Sequence, residues 1–262
     1  MKKRLIGGAI IFAIVIPVFL IGGIVFDIFA GIVGALALYE LINADKELKN
    51  IPMIVKILAF ISVPLIGYIN LNDSIYMGID IYTIAIPMVL LLIPTLLFHK
   101  NGYNSKNGFK LSFIAIFVGF LVNLFVNIFN INKFIFLWLI LIGMSTDVFA
   151  YLGGKLFGKH KFSKISPNKT IEGCISGIIF GSLIGYIYYI NMFNVLNGIV
   201  LLVVVILLSI IGEIGDLFYS LIKRDNDIKD FSHLIPGHGG ICDRIDSLSF
   251  IILLYSILFR FL

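Results

Sequence analysis

The chain has 262 residues, of which 60% are hydrophobic and only 13% charged, where soluble domains run at about 45–50% and about 25%. No soluble fold of this length could bury so much apolar side chain, which excludes a cytosolic globular enzyme, a disordered chain and a secreted disulfide scaffold. The composition is that of a polytopic membrane protein with a net charge of +5, in which the placement of charge matters more than its total.

Lys2, Lys3 and Arg4 precede an apolar run that extends from Leu5 past Val25. A cleavable signal has an apolar core of roughly 7–15 residues followed by a small-residue cleavage site. This run is longer, so an uncleaved first helix is predicted. A bilayer-crossing helix needs about 20 mostly apolar residues. The windows that qualify are 5–22, 24–43, 54–70, 79–98, 111–130, 134–153, 173–190, 197–222 and 246–261. They predict an all-α, polytopic integral membrane protein of about nine transmembrane helices, folded as a single membrane domain over 1–262. Residues 1–133 form a hydrophobic helical bundle, and 134–262 concentrate the polar residues. With the N-terminus in the cytoplasm, 17 of the 20 Lys and Arg residues fall in cytoplasmic segments, and only Lys133 and Arg260 fall on the far side. The windows were drawn without regard to charge, so this positive-inside bias supports both the division and the orientation. The two cysteines, Cys174 and Cys242, have no spacing that suggests a bridge or a metal site.

Acids at membrane depth are costly without a partner or a polar cavity. Asp27 and Glu40 lie near span ends and read as interfacial residues. In the eighth window Ser209, Glu213, Asp216, Ser220 and Lys223 recur at the period of one helix face. The stripe reads either as a polar packing seam or, as favoured here, as the wall of a hydrophilic cavity open to the cytoplasm. Asp243 and Asp246 open the ninth window three residues apart, where the helix dipole favours negative charge. Four acids at two consecutive helix ends call for a cation, and hard oxygen ligands point to Mg²⁺. Between them lies Pro236-Gly237-His238-Gly239-Gly240, whose glycines permit unusual dihedrals and close approach of backbone N–H groups to an anion. His238 is a ligand, a phosphate donor or a plain turn residue. Upstream, Ser166, Lys169 and Thr170 precede a helix N-terminus, a natural phosphate site, and Glu172 stands in position to pair with Lys169. Cations, glycine-rich backbone and carboxylates together are the components of phosphoryl transfer.

These residues resemble a known family. Ser220-x-x-Lys223-Arg224, Lys229-Asp230 and Pro236-Gly237-His238-Gly239-Gly240-x-x-Asp243-Arg244-x-Asp246 are similar to the signature of the phosphatidate cytidylyltransferases (CDP-diacylglycerol synthases). Asp147-x-x-Ala150-Tyr151-x-x-Gly154, Ser166-Pro167-x-Lys169-Thr170-x-Glu172-Gly173 and Gly215-Asp216-Leu217 resemble the same family. Ser232 stands where the family pattern has Gly, and Phe149 where it has a smaller residue. The resemblance implies transfer of CMP from CTP to phosphatidic acid, giving CDP-diacylglycerol and pyrophosphate, with Mg²⁺ in a two-cation site. It implies Asp216, Asp243 and Asp246 as metal ligands and catalytic residues, with Asp147 and Glu213 as further ligands. Lys169 and Lys223 are then catalytic, while Ser166, Thr170, Arg224, Gly237, His238, Gly239, Gly240 and Arg244 bind substrate. The implied partners are CTP, phosphatidic acid and membrane lipids, with no nucleic acid, and homodimer formation stays open. The implied location is the cell membrane, with the active site facing the cytoplasm. A cation-coupled transporter would also use midmembrane acids and glycine breaks, but here the polar groups gather at one face and no inverted repeat appears. A transferase joining CDP-alcohols to lipids would share the metal logic, yet its Asp-Gly-x-x-Ala-Arg core is absent.

The orientation is open to direct measurement. In a background lacking Cys174 and Cys242, Ile75→Cys and Asn194→Cys should react with an impermeant thiol reagent added outside intact cells, and Ser105→Cys and Ile235→Cys should not. The reverse labelling pattern contradicts the charge-based topology.

Overall fold

The computed structural model describes residues 2–68, 81–163, 165–193, 195–237 and 239–260. Among them all extended regular structure is helical, and β pairing is limited to two isolated bridges, Lys161 with Thr170 and Ile235 with Gly239. The helices are α1 (Lys2–Ile21), α2 (Gly23–Ala44), α3 (Met53–Tyr68), α4 (Ile81–Leu92), α5 (Pro94–Phe98), α6 (Ser105–Ile131), α7 (Lys133–Phe157), α8 (Ile171–Met192), α9 (Gly198–Asp225) and α10 (Cys242–Phe259).

Within the described residues, each apolar window of the sequence coincides with helix. The fourth is divided where Pro94 opens α5, since proline cannot donate a backbone bond inside a helix. The first two windows separate at Gly22 and Gly23, whose φ angles of 65° and 53° suit glycine alone at low cost. Six helical segments are long and apolar enough to cross a membrane: Gly23–Ala44, Thr83–Asn101, Ser105–Ile131, Lys133–Phe157, Ile171–Met192 and Gly198–Asp225. α3, at 16 residues, is apolar but shorter. α10 has 18 residues and carries Asp243, Arg244 and Asp246 at its start.

The chain divides into two units, Met1–Ile131 with Asn226–Asp243, and Asn132–Asp225 with Arg244–Leu262. The main break at 131/132 lies close to the compositional change near residue 133, but the segment 226–243 belongs with the first unit.

In the first unit α6 packs against α2 and α3 through small residues. A Cβ added at Gly119 would stand 2.7 Å from Cβ of Ile66, and one at Gly67 would stand 2.8 Å from Cγ1 of Val122. Leu38, Val55, Ala59, Ile66, Leu111, Ala115 and Leu124 are fully buried in this core. Asn123 donates to the carbonyl of Gly67 at 3.2 Å, and Asn127 donates to Oδ1 of Asn123 at 2.8 Å, so the asparagines of this apolar helix bond within the protein. Asp45, just beyond α2, accepts from the N–H groups of Glu47 and Leu48 and pairs with Lys110. Burial opposes its charge, but Lys110 and those N–H groups outweigh it and hold the carboxyl below its usual range.

In the second unit α8 lies close along α7. Gly173, Gly177, Gly181 and Gly185 recur every fourth residue and are all buried, the small-residue stripe that lets two membrane helices approach backbone to backbone. A Cβ at Gly177 would stand 2.7 Å from the carbonyl oxygen of Thr146, and one at Gly173 would stand 2.6 Å from that of Ala150. The indole N–H of Trp138 donates to the carbonyl of Gly185 at 2.8 Å. Ile251 of α10 fills the space left by Gly143 of α7 and Gly212 of α9.

The glycine stripe generates a prediction. Gly177→Leu should lower the melting temperature of the detergent-solubilised protein by several degrees, since overpacking a tight contact costs about 1–3 kcal/mol. Ile179→Ala, on the exposed face of the same helix, should leave it nearly unchanged. Size-exclusion profiles after a heating series make the comparison.

Candidate active site

α9 carries the polar stripe of the second unit. Ser209, Glu213, Ser220 and Lys223 are buried while Ile210, Ile214, Phe218 and Leu221 on the other faces are exposed, so the stripe faces protein, as a polar face in a membrane must. Ser182 of α8 donates to Oγ of Ser209 at 3.2 Å. One turn further, Glu213 and Asp216 meet Lys169.

Lys169 reaches this position because of the segment that precedes α8. Phe162 N–H donates to the carbonyl of Lys169 at 2.9 Å, and Ile171 N–H donates to that of His160 at 3.0 Å. A turn from Ser166 to Lys169 is closed by a 3.1 Å backbone bond. Thr170 is the N-cap of α8, its hydroxyl accepting from the N–H of Gly173 at 3.1 Å. Glu172 accepts from the N–H groups of Lys159 and His160 and from Nδ1 of His160, at 2.6 Å for the ring. The expected pair between Lys169 and Glu172 is therefore replaced. Lys169 precedes the N-cap Thr170 and lies outside α8, so the helical spacing that would bring the two together does not apply.

Nζ of Lys169 lies 2.6 Å from Oε2 of Glu213 and 2.6 Å from Oδ2 of Asp216. The lysine side chain is 18% exposed, Glu213 5% and Asp216 25%. Burial works against the ammonium charge, but the two carboxylates outweigh it and hold the lysine above its usual range. Cys174 offers its thiol to Oε2 of Glu213 at 3.6 Å, and Oε1 of Glu213 is buried with no hydrogen-bond partner. Asp147 of α7 interacts electrostatically with Asp216, Glu213 and Lys169 and accepts from Ser247 at 3.4 Å. Asp246 of α10 interacts with Asp216, Asp147 and Lys223. Arg224 is exposed, its Nε 3.4 Å from the carbonyl of Ile165, and Arg244 is exposed in the first turn of α10.

The second unit thus gathers Asp147, Lys169, Glu213, Asp216, Lys223 and Asp246. Among the described residues no three His, Cys, Asp or Glu side chains stand close enough to share one ion; Lys169 bridges the two acids of α9. The donor chemistry nevertheless suits a hard cation. Two carboxylates flank Lys169, Asp147 and Asp246 interact with the same groups, and one buried carboxylate oxygen is unpartnered.

The glycine loop belongs to the first unit. Gly237 and Gly239 have φ of 75° and 84°, and Ile235 N–H donates to the carbonyl of Gly239 at 2.9 Å. His238 lies outside the described residues. Oδ2 of Asp243 accepts from the N–H groups of Gly240, at 2.9 Å, and Phe231, at 3.0 Å, so Asp243 orders the loop. Sequence reading missed Glu40, taken as interfacial. It is fully buried in α2 and accepts from Ser232 at 2.6 Å, Ile241 N–H at 2.9 Å and Cys242 N–H at 2.8 Å. An acid one turn before the end of an apolar helix was the only signal available for it.

Comparison with known proteins bears on this site. A model of the cytidylyltransferase family matches residues 2–262. The chain is 32% identical to the phosphatidate cytidylyltransferase of Bacillus subtilis (strain 168) over 100% of this chain and 98% of that protein. It is 35% identical to the enzyme of the same name from Staphylococcus aureus (strain COL), and 34% to that of Staphylococcus haemolyticus (strain JCSC1435), each over 98% of both chains.

The Lys169 bridge has a stability signature. Lys169→Met removes the ammonium from between two acids, and breaking a buried ion pair on one side costs about 3–5 kcal/mol, so the melting temperature should fall. The double variant Lys169→Met/Glu213→Gln should recover part of that loss. Lys161→Gln, an exposed lysine in the same segment, serves as the neutral control in the same thermal melts.

Proposed function

Since the chain belongs to the cytidylyltransferase family, we propose that it is a phosphatidate cytidylyltransferase, transferring CMP from CTP to phosphatidic acid to give CDP-diacylglycerol and pyrophosphate. The observation that carries this reading is the gathering of Asp147, Lys169, Glu213, Asp216, Lys223 and Asp246 within one helical unit. Such an array of carboxylates and ammonium groups suits a reaction between two anions.

An oxygen of the lipid phosphate attacks the α-phosphorus of CTP. A P–O bond forms there, and the bond from the α-phosphorus to the oxygen bridging to the β-phosphate breaks, releasing pyrophosphate. A phosphate monoester has its second pKa near 6, so the nucleophile is already largely ionised and no strong base is needed. The barrier lies in bringing like charges together in line, which is a matter of positioning and neutralisation. Lys169 and Lys223 supply positive charge, with Arg224 and Arg244 as exposed cations for the phosphates. Asp216, Asp246, Asp147 and Glu213 of the second unit would hold Mg²⁺, expected as a two-cation site, and the sequence signature also implies Asp243 as a ligand. Bound there, Mg²⁺ supplies charge neutralisation of the phosphates. Ser166 and Thr170 would contact substrate, Thr170 also capping α8. The backbone of the glycine loop would serve the nucleotide phosphates. Nine crossings, a cytoplasmic N-terminus and a polar cavity open to the cytoplasm fit the charge distribution of the sequence. The lipid substrate would come from the surrounding membrane.

The purified protein with CTP, Mg²⁺ and phosphatidic acid in mixed micelles should form CDP-diacylglycerol without any ion gradient. Asp216→Asn, Asp243→Asn and Asp246→Asn should each abolish turnover, whereas Asp27→Asn retains it. Lys169→Ala and Lys223→Ala should lower kcat/KM by about 10²–10³-fold, the usual worth of one transition-state donor, and Lys159→Gln by less than about tenfold because an exposed charge is screened. Product formation that needs a gradient, or near-normal turnover in all three aspartate variants, contradicts the assignment.

A further inference from the structure

We propose that Glu40 is a positioning residue for the reaction, holding the glycine loop and the start of α10 from a distant helix. The inference rests on the reading that this loop serves the nucleotide phosphates. Glu40 sits in the last turns of α2 and is fully buried. A buried carboxylate is retained only where polar groups replace its water. Here those groups are the Ser232 hydroxyl and the N–H groups of Ile241 and Cys242, at 2.6, 2.9 and 2.8 Å. They lie 192, 201 and 202 residues away in sequence. The two N–H groups belong to the start of α10, where backbone donors have no intrahelical acceptor and the helix dipole is positive. Glu40 therefore acts as an N-cap supplied by another helix.

Three further contacts fix the same junction. The thiol of Cys242 donates to the carbonyl of Ala37, one turn earlier on α2, at 3.5 Å. A Cβ added at Gly240 would stand 2.6 Å from Cδ of Glu40, so the carboxylate occupies the space that a side chain would need. Ser232, which departs from the family pattern, also accepts from the N–H of Leu234 at 3.2 Å and so joins the loop to the carboxylate. With Asp243 holding Gly240 and Phe231, the turn containing Gly237 and Gly239 is braced on both sides. Glu40 acts through this loop and not on substrate.

The decisive variant is Glu40→Gln. It keeps the shape, but both oxygens of Glu40 accept, so either orientation of the amide sets its NH₂ against a donor. The KM for CTP should rise about 10- to 100-fold, the worth of a hydrogen bond to a charged group, with the KM for phosphatidic acid unchanged. Hydrogen exchange at the Ile241 and Cys242 amides should accelerate while the core of α6 stays protected. Ser232→Ala, which removes one donor of three, should show a smaller rise in the same constant. A Glu40→Gln protein with unchanged CTP KM and unchanged local exchange overturns the proposal. So does one that only melts earlier, with kinetic constants per folded molecule intact. If the wild-type protein makes no CDP-diacylglycerol from CTP, the proposed function fails instead, and amide exchange alone still decides whether Glu40 holds the loop.

Discussion

The ammonium of Lys169 sits between two carboxylates of α9, in a place where water cannot easily substitute for any of the three. At an effective dielectric well below that of water, each of these charges is tolerable only because the others are present. That mutual dependence explains several features of the sequence around it. The bridge between Lys161 and Thr170 and the turn from Ser166 to Lys169 bring the lysine in, Thr170 caps α8, and Glu172 ties the segment down through Lys159 and His160. Asp147 and Asp246 then bring two more carboxyl groups to the same neighbourhood from α7 and α10. The excess of carboxyl groups over ammonium groups suits a divalent cation, whose charge would in turn offset that of polyanionic substrates.

The glycines of α8 give this charge cluster its frame. In a bilayer there is no hydrophobic drive for one apolar helix to seek another, so close packing must supply the attraction. Gly173, Gly177, Gly181 and Gly185 let α8 approach α7 until Cβ atoms would collide with carbonyl oxygens. Lys169 and Cys174 therefore stand on a helix start with little freedom to shift. The apolar residues left exposed on the outer faces of α9, such as Ile214 and Phe218, match lipid, and the polar residues of that helix are turned inward.

What the sequence revealed depended on whether the signal was local. The helices are long apolar runs, so their positions could be read to within a few residues, including the break at Gly22. The stripe on α9 was readable because five polar residues keep helical period in an apolar background. Glu40 was not, because its partners lie about 200 residues away and nothing near it in sequence announces them. The Lys169–Glu172 pairing failed for a related reason, since a three-residue spacing brings side chains together only when both belong to one helix. Gly240 was read as a site of close approach to a phosphate, whereas its N–H serves Asp243 and its missing side chain makes room for Glu40.

The Glu40 contacts also set an order on biosynthesis. A nascent chain grows at about 5–20 residues per second, so the 201 residues between Glu40 and Ile241 take roughly 10–40 s to emerge. For that interval α2 has been made but its acid has none of its eventual donors. Water must serve the carboxylate meanwhile, so the C-terminal end of α2 stays hydrated while later helices are being made. The first unit can shed that water only when 226–243 arrives. Although it contains the helices made earliest, it is completed only after α7, α8 and α9 of the second unit have been made.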